Sequence, residues 1–308
     1  MSEPEDKEGV EQEKTYDLAN YSEYIEIFKD GVPDEKIKSL ISLHLVKLIK
    51  DSGITGYEVI FLYDGDTSIS TFHSNRIYQA VKDLDKKKNI LMVIESGGGQ
   101  IEPAYLISKT CKRLSKSKFN VAIPRKAKSA ATLISLGANE IHMGLLSELG
   151  PIDPQFGGFP ALGLANAMEK IAEMSEKYPK ASDMFAKYLT ENINIQHLGL
   201  FERINESAAQ YASRLLDGKQ FPDGKSAESL SDHFTNHYKD HSFVIDADEA
   251  TSLLGKKIIK ENSKEYVFAN QLYDFLQFTG VLFSVFKEKK MRFVGSINDG
   301  LDLSDKTE

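Results

Sequence analysis

Two short stretches of this 308-residue chain carry residue types that can do chemistry. The first is Ser96-Gly97-Gly98-Gly99, directly after an apolar run. Glycines there permit positive φ and let backbone N–H groups point into a cleft, where they can hold an oxyanion or a phosphate. The turn lacks the Lys-Ser/Thr ending of a phosphate-binding loop, and Glu102 stands where a dinucleotide fingerprint needs its last glycine. The second stretch is Pro124-Arg-Lys-Ala-Lys-Ser129-Ala-Ala131, which places a serine at the start of a helical run. Such a serine can simply cap the helix. It can also act as a nucleophile, because a helix N-terminus favours developing negative charge and the glycine turn supplies further donors. A hydroxyl between two sets of N–H groups is what acyl transfer requires.

The elements that must position these turns follow from periodicity. Residues 57–63, 89–94 and 119–123 are short, largely apolar runs rich in branched and aromatic residues, and they are expected as strands together with Glu140-Ile-His-Met143. Between them, 70–84, 100–114 and 129–137 have helical spacing. This alternation predicts an α/β fold with parallel pairing and right-handed crossovers, so both turns face one crevice. Residues 34–51 predict an earlier helix. Beyond Pro160 the pattern is mostly helical, over 161–178, 181–196, 199–217, 229–238 and 246–254. The segment 266–286 is apolar but interrupted by Asn270, Gln271, Asp274 and Gln277, which predicts a core or interface helix rather than a membrane span. The expected organisation is an acidic disordered tail over 1–16, one domain over 17–260 and a helix-and-strand appendage over 261–308.

Composition bounds the functional classes. The net charge of −8 argues against nucleic acid as a partner, since phosphate binding draws on clustered Lys and Arg. Cys111 is the single cysteine, so no internal disulfide or Cys-rich zinc site can form. The seven histidines show no metal-ligand spacing, and neither a metal nor a cofactor is expected. The acidic start without an apolar core does not read as a secretory signal, and a soluble cytoplasmic protein is expected.

Three stretches resemble the serine dehydrogenase proteinase family, a branch of the Clp-protease/crotonase superfamily related to signal peptide peptidase A. They are Ser96–Gly99, Ala127-Lys-Ser-Ala-Ala-Thr-Leu-Ile-Ser-Leu-Gly-Ala-Asn-Glu-Ile141, and Leu149-Gly-Pro-Ile-Asp-Pro-Gln155. Glu202-Arg-Ile-Asn-Glu-Ser-Ala208 and His241-Ser-Phe-Val-Ile-Asp246 add to the likeness. The resemblance implies a Clp/crotonase-like fold of repeated β-β-α or β-α units with a helical C-terminal portion. It implies a serine peptidase acting on extended peptide segments, with Ser129 as nucleophile and the N–H groups of Gly99 and Ala130 as oxyanion hole. A homo-oligomer is implied as well. The name of the family mentions a dehydrogenase, but no dinucleotide fingerprint is present.

The general base is open at this level. Where Clp-type peptidases carry a histidine, this chain reads Ile152-Asp153-Pro154-Gln155. Asp153 is a poor base at neutral pH unless burial raises its pKa, and its ordinary role is a turn cap. Relatives of signal peptide peptidase A use a lysine, and Lys170, Lys177, Lys180 and Lys187 lie downstream. Lys180 fits the expected placement best, so a Ser–Lys arrangement is the leading expectation. His237 is an alternative base or support, while His142 falls inside a strand and is expected to pack. Two other functions compete: a non-catalytic oligomeric scaffold or peptide-binding module, and a crotonase-like acyl-CoA enzyme using the same oxyanion hole.

Overall fold

The apolar runs become strands and the segments of helical period become crossovers, as a computed structural model shows. It describes residues 16–84, 87–156, 159–160, 163–192 and 195–306. The expected tail falls almost entirely on residues 1–15, outside the described residues. In chain order the elements are α1 (Tyr21–Lys29), α2 (Asp34–Asp51), β1 (Tyr57–Asp64), α3 (Thr71–Val81), β2 (Asn89–Ser96), α4 (Ile101–Leu114), β3 (Phe119–Ala122), β4 (Lys126–Ala127), α5 (Ala130–Leu136), β5 (Glu140–Met143) and β6 (Glu148–Leu149). There follow β7 (Gln155–Phe156), β8 (Phe159–Pro160), α6 (Gly163–Lys177), α7 (Ser182–Asn192), α8 (Ile195–Leu216), α9 (Ala227–Asp232), α10 (Ala247–Leu254), β9 (Ile259–Glu261), α11 (Lys264–Phe286), β10 (Lys289–Gly295) and β11 (Leu301–Asp305).

The main sheet runs β11-β10-β1-β2-β3-β5-β9, with β4 leaving the path to pair with β2 and β6. From β1 to β9 neighbours are parallel, as the alternation predicts, and β10 joins β1 antiparallel. Successive strand residues point to opposite faces, so each strand feeds two cores. Ile60, Leu62, Ile90, Met92 and Ile94 belong to a core with α3, α4, α5, α8, α9 and α10. Val59, Phe61, Tyr63, Leu91 and Val93 belong to a second core with α1, α2 and α11. Strands buried on both faces read as continuous apolar runs, which is why they stand out in the sequence.

The residues after 260 extend the same sheet. Phe293 on β10 stacks on Phe61 of β1 with ring centroids 4.2 Å apart. A pair of that kind adds about 0.5–1.5 kcal/mol beyond its buried area. α11 buries Phe268, Leu272, Leu276 and Phe283, and leaves Val267, Val281 and Val285 exposed. Among the described residues no helix is long and apolar enough to cross a membrane.

Candidate active site

The parallel register carries β1 and β2 to the same level, pairing Tyr63 with Glu95 and Asp64 with Ser96. Just beyond that level the chain turns at Gly97–Gly99. Gly98 and Gly99 sit at φ of 104° and 151°, which L side chains rarely adopt. Ile69 bridges to Gly99 in parallel fashion. Its N–H donates to Gly98 O at 2.8 Å, and its O accepts from the Gln100 N–H at 2.8 Å. In a parallel bridge the flanking residues carry both bonds, so the N–H of Gly99 itself is directed away from Ile69.

Ser129 sits at φ 52°, ψ −119°, a strained conformation for a residue with a side chain. Strain of this kind costs about 1–3 kcal/mol and persists only where the surroundings enforce it. Here β4 does so: Lys128 N–H donates to Ser96 O at 3.0 Å, while Ala131 N–H donates to Lys128 O at 2.8 Å as α5 begins. The side chain of Ser129 makes no capping hydrogen bond to α5, so the simple capping role is not the one it plays. Ala130, fully buried, opens the helix. A first-turn N–H has no partner within the helix.

The two turns touch at Gly98. A Cβ there would lie 2.7 Å from Lys128 O, 2.7 Å from Ser129 Cβ and 3.1 Å from the Ala130 N. Ser129 therefore lies between the glycine turn and the start of α5.

Both turns line a cavity of about 740 Å³. Its wall includes Gly97, Gly98, Gly99, Ser129, Ile152, Gln155, Ile204 and His241. His241 is the residue that sequence reasoning passed over. Its Nδ1 lies 2.7 Å from Asp153 Oδ1, and Gln155 Nε2 donates to the other carboxylate oxygen at 2.8 Å. An ionised carboxylate only accepts, so Nδ1 carries the proton and Nε2 of the neutral ring keeps its lone pair. Asp153 is buried, whereas the His241 side chain keeps 30% of its exposure.

Several contacts place this pair. Thr132 of α5 accepts from the Gly150 N–H at 3.0 Å, fixing the stretch that leads to Asp153. Leu149 and Ile245 exchange backbone bonds of 2.9 and 3.1 Å. The ammonium of Lys128 reaches Glu148 at 2.8 Å and Phe243 O at 3.0 Å, tying the residues after His241 to the strand before Ser129. Lys126 lines a different cavity, and neither of the two lysines preceding Ser129 lines the cavity that Ser129 borders.

The other base candidates lie elsewhere. Lys180 is exposed on a single turn of 3₁₀ helix before α7 and lines a surface depression with Lys177, Tyr178, Pro179 and Ala181. Lys170 and Lys187 pair with Glu173 and Glu191 on exposed helix faces. None of these lysines lines the cavity that Ser129 borders. His237 is exposed and stacks on His233 with centroids 4.1 Å apart, outside the cavity wall. His142 is buried in β5, with Nδ1 2.7 Å from Ser263 Oγ. Among the described residues no cluster of metal-ligating side chains is present.

On the opposite face of β2, Glu95 accepts from the Lys126 N–H at 3.1 Å and borders a second cavity with Tyr63, Tyr273 and Gln277. Burial raises its carboxyl to about 7, and the Lys126 N–H opposes the shift without cancelling it. A folded pKa above the usual 4.5 means that the native state holds a proton the unfolded chain releases. This contribution to stability is full at acid pH and is lost as pH rises towards 7. Glu95→Gln, which does not titrate, is expected to abolish that slope. Chaotrope melts at about pH 4.5 and about pH 7.5 measure it, and identical pH dependence in both proteins would refute the assignment.

A family model of ClpP-like SDH-type serine proteinases matches residues 25–224. The match takes in the glycine turn, Ser129 and Asp153 but stops before His241. Two uncharacterized proteins of Methanocaldococcus jannaschii, MJ0137 and MJ1495, are each 30% identical, over 176 and 178 residues. These alignments cover 56% and 57% of this chain, and the chain spans only 58% of the length of either relative. Among solved structures, a variant of the 1510-N membrane-bound stomatin-specific protease superposes with a TM-score of 0.42 at 12% identity, covering 73% of this chain and 83% of that one. ClpP1 from Listeria monocytogenes gives a TM-score of 0.42 at 17% identity, covering 72% and 99%. The family match extends over well more than half of the residues and includes both turns, so the chain belongs to the family of ClpP-like SDH-type serine proteinases.

Proposed function

We propose that this chain is a serine peptidase that works through Ser129, His241 and Asp153, with the N–H groups of Gly99 and Ala130 as its oxyanion hole. The observation that carries the reading is the cavity lined at once by Ser129, the glycine turn and a histidine held by a buried carboxylate. A peptide lying extended along Gly97–Gly99 presents a carbonyl carbon to Ser129 Oγ. As Oγ bonds to that carbon, its proton passes to Nε2 of His241, and the charge on the carbonyl oxygen is received by the two N–H groups. Asp153 keeps the proton on Nδ1 and stabilises the imidazolium. The imidazolium then protonates the departing amine, and water, deprotonated by the same nitrogen, releases the acyl group and regenerates the hydroxyl. His241 takes the part that the sequence suggested for Lys180, because it borders the nucleophile's cavity and the lysine does not.

A fluorophosphonate probe tests the reading, since it reacts with an activated serine and mimics the tetrahedral species. The wild type is expected to be labelled once per chain, with labelling lost in Ser129→Ala. A folded wild type that resists the probe would favour the non-catalytic scaffold. Resistance combined with retention on a CoA-affinity resin would favour the acyl-CoA enzyme.

A further inference from the structure

A second serine, histidine and aspartate stand together at the two ends of the loop 65–69, whose residues Gly65–Ser68 line the Ser129 cavity. His73 Nε2 lies 3.2 Å from Asp64 Oδ2, and the Ser70 N–H donates to His73 Nδ1 at 3.1 Å. The Ser70 hydroxyl is 3.3 Å from the same nitrogen. Both ionisable side chains are almost fully buried, at 3% exposure for Asp64 and 2% for His73. The trio is not a second nucleophilic centre, because Nδ1 already accepts from the Ser70 backbone and Ser70 does not border the Ser129 cavity. Its geometry instead fixes the ring as the Nε2–H tautomer, donating to Asp64 and accepting from the chain.

The pair clamps a loop. Asp64 ends β1 and also accepts from the Thr67 N–H at 2.9 Å and the Thr67 hydroxyl at 2.5 Å. Burial opposes ionisation, but the bond from His73 and those from Thr67 together outweigh it and hold the carboxyl below its ordinary range. His73, in the first turn of α3, grips Ser70 from the other end. Between the two grips lies Ile69, with no exposed surface, and Ile69 makes both backbone bonds to the glycine turn. The chain of contacts therefore runs from Asp64 through His73 and Ser70 to Ile69, and from Ile69 to the peptide units on either side of Gly99.

We propose that Asp64 and His73 are positioning residues that aim the Gly99 N–H at the oxyanion. This rests on the reading of Ser129 as nucleophile. An N–H in an oxyanion hole is effective only when held at bonding distance from the tetrahedral oxygen. The glycines cannot hold it, because they are the residues with the widest choice of φ and ψ. The rigidity must come from a neighbour, and Ile69 is the neighbour bonded on both sides.

The test uses Asp64→Asn in the full chain. An amide at that position directs an N–H or a weaker acceptor at the ring and breaks the sequence of donors. Phosphonylation of Ser129 is expected to slow about 10- to 100-fold, with kcat for peptide cleavage falling in parallel and KM nearly unchanged. In a Ser129→Cys background, alkylation by iodoacetamide needs no oxyanion hole and is expected to be unaffected by Asp64→Asn. Equal slowing of both reactions would show general loosening and overturn the proposal, as would phosphonylation at the wild-type rate. A wild type that fails to react at all would instead overturn the serine peptidase reading itself. Should Asp64→Asn not fold, Thr67→Val removes one bond from the carboxylate at an exposed position, and a several-fold slowing confined to phosphonylation is expected; wild-type rates there would count against the clamp.

Discussion

His241→Ala is expected to lower kcat/KM for peptide hydrolysis by about 10⁴-fold or more, the scale seen when a triad loses its base. The ring is the group in the Ser129 cavity whose Nε2 is free to take a proton, because its Nδ1 is committed to Asp153 at 2.7 Å. The side chain is partly exposed and Asp153 keeps the bond from Gln155, so the melting temperature is expected to fall by only a few degrees. Asp153→Asn is expected to cost less than loss of the ring while staying in the same direction. The amide no longer selects the Nδ1–H tautomer, and no charge balances the imidazolium. Lys180→Ala is the control. Its exposed ammonium lies at a separate depression, so the rate of phosphonylation and the rate of peptide cleavage should both be retained. A Lys180→Ala protein without activity, beside an active His241→Ala, would reverse the assignment and restore the Ser–Lys arrangement.

Gly98→Ala is expected to force the two turns of the site apart. The added carbon would lie 2.7 Å from both Lys128 O and Ser129 Cβ, and these are backbone and near-backbone atoms that cannot swing aside. The position also has φ of 104°, so strain is added to the collision. Overpacking of this kind costs about 1–3 kcal/mol, and the unfavourable φ adds a further ~1–2 kcal/mol. The collision can be relieved only by separating the glycine turn from the start of α5. That separation pulls the two N–H donors apart, and loss of one such donor lowers kcat by about 10²–10³-fold. Gly97 provides the contrast. A Cβ there meets nothing within 4 Å, so Gly97→Ala is expected to change stability by no more than about 0.5 kcal/mol. Urea melts of both variants with kcat measured on the same samples decide the matter. A Gly98→Ala protein of wild-type stability and kcat would show that the two turns need not touch.

Much of the frame was legible from local pattern. Residues 57–63 and 89–94 became β1 and β2 because strands buried on both faces are largely apolar, a requirement written on consecutive residues. The helix expected over 34–51 is α2, and the apolar segment 266–286 is contained in α11. Less visible were β4 and β6, two residues each, since a strand so short has no period of its own. The helix expected over 229–238 proved to be α9 up to Asp232, followed by a wider π turn over His233–His237. Side-chain spacing alone does not distinguish those two kinds of turn.

The candidate site divides along the same line. Ser129, Gly98 and Gly99 could be named from the chain, because a glycine turn after one strand and a serine before one helix are local arrangements, and parallel pairing brings such turns to one edge of the sheet. What the tertiary structure alone decided was which histidine shares a cavity with Ser129. His241 lies in a segment without regular structure, far along the chain, and reaches the cavity because Leu149 pairs with Ile245 and Lys128 holds Phe243 O. His237 is four residues earlier, exposed and stacked on His233 outside that cavity; nothing in residue type separates the two histidines. Hydrophobic period records which face of an element is buried. Which loop closes over which strand end depends on contacts between distant residues, and these exist only once the sheet has assembled.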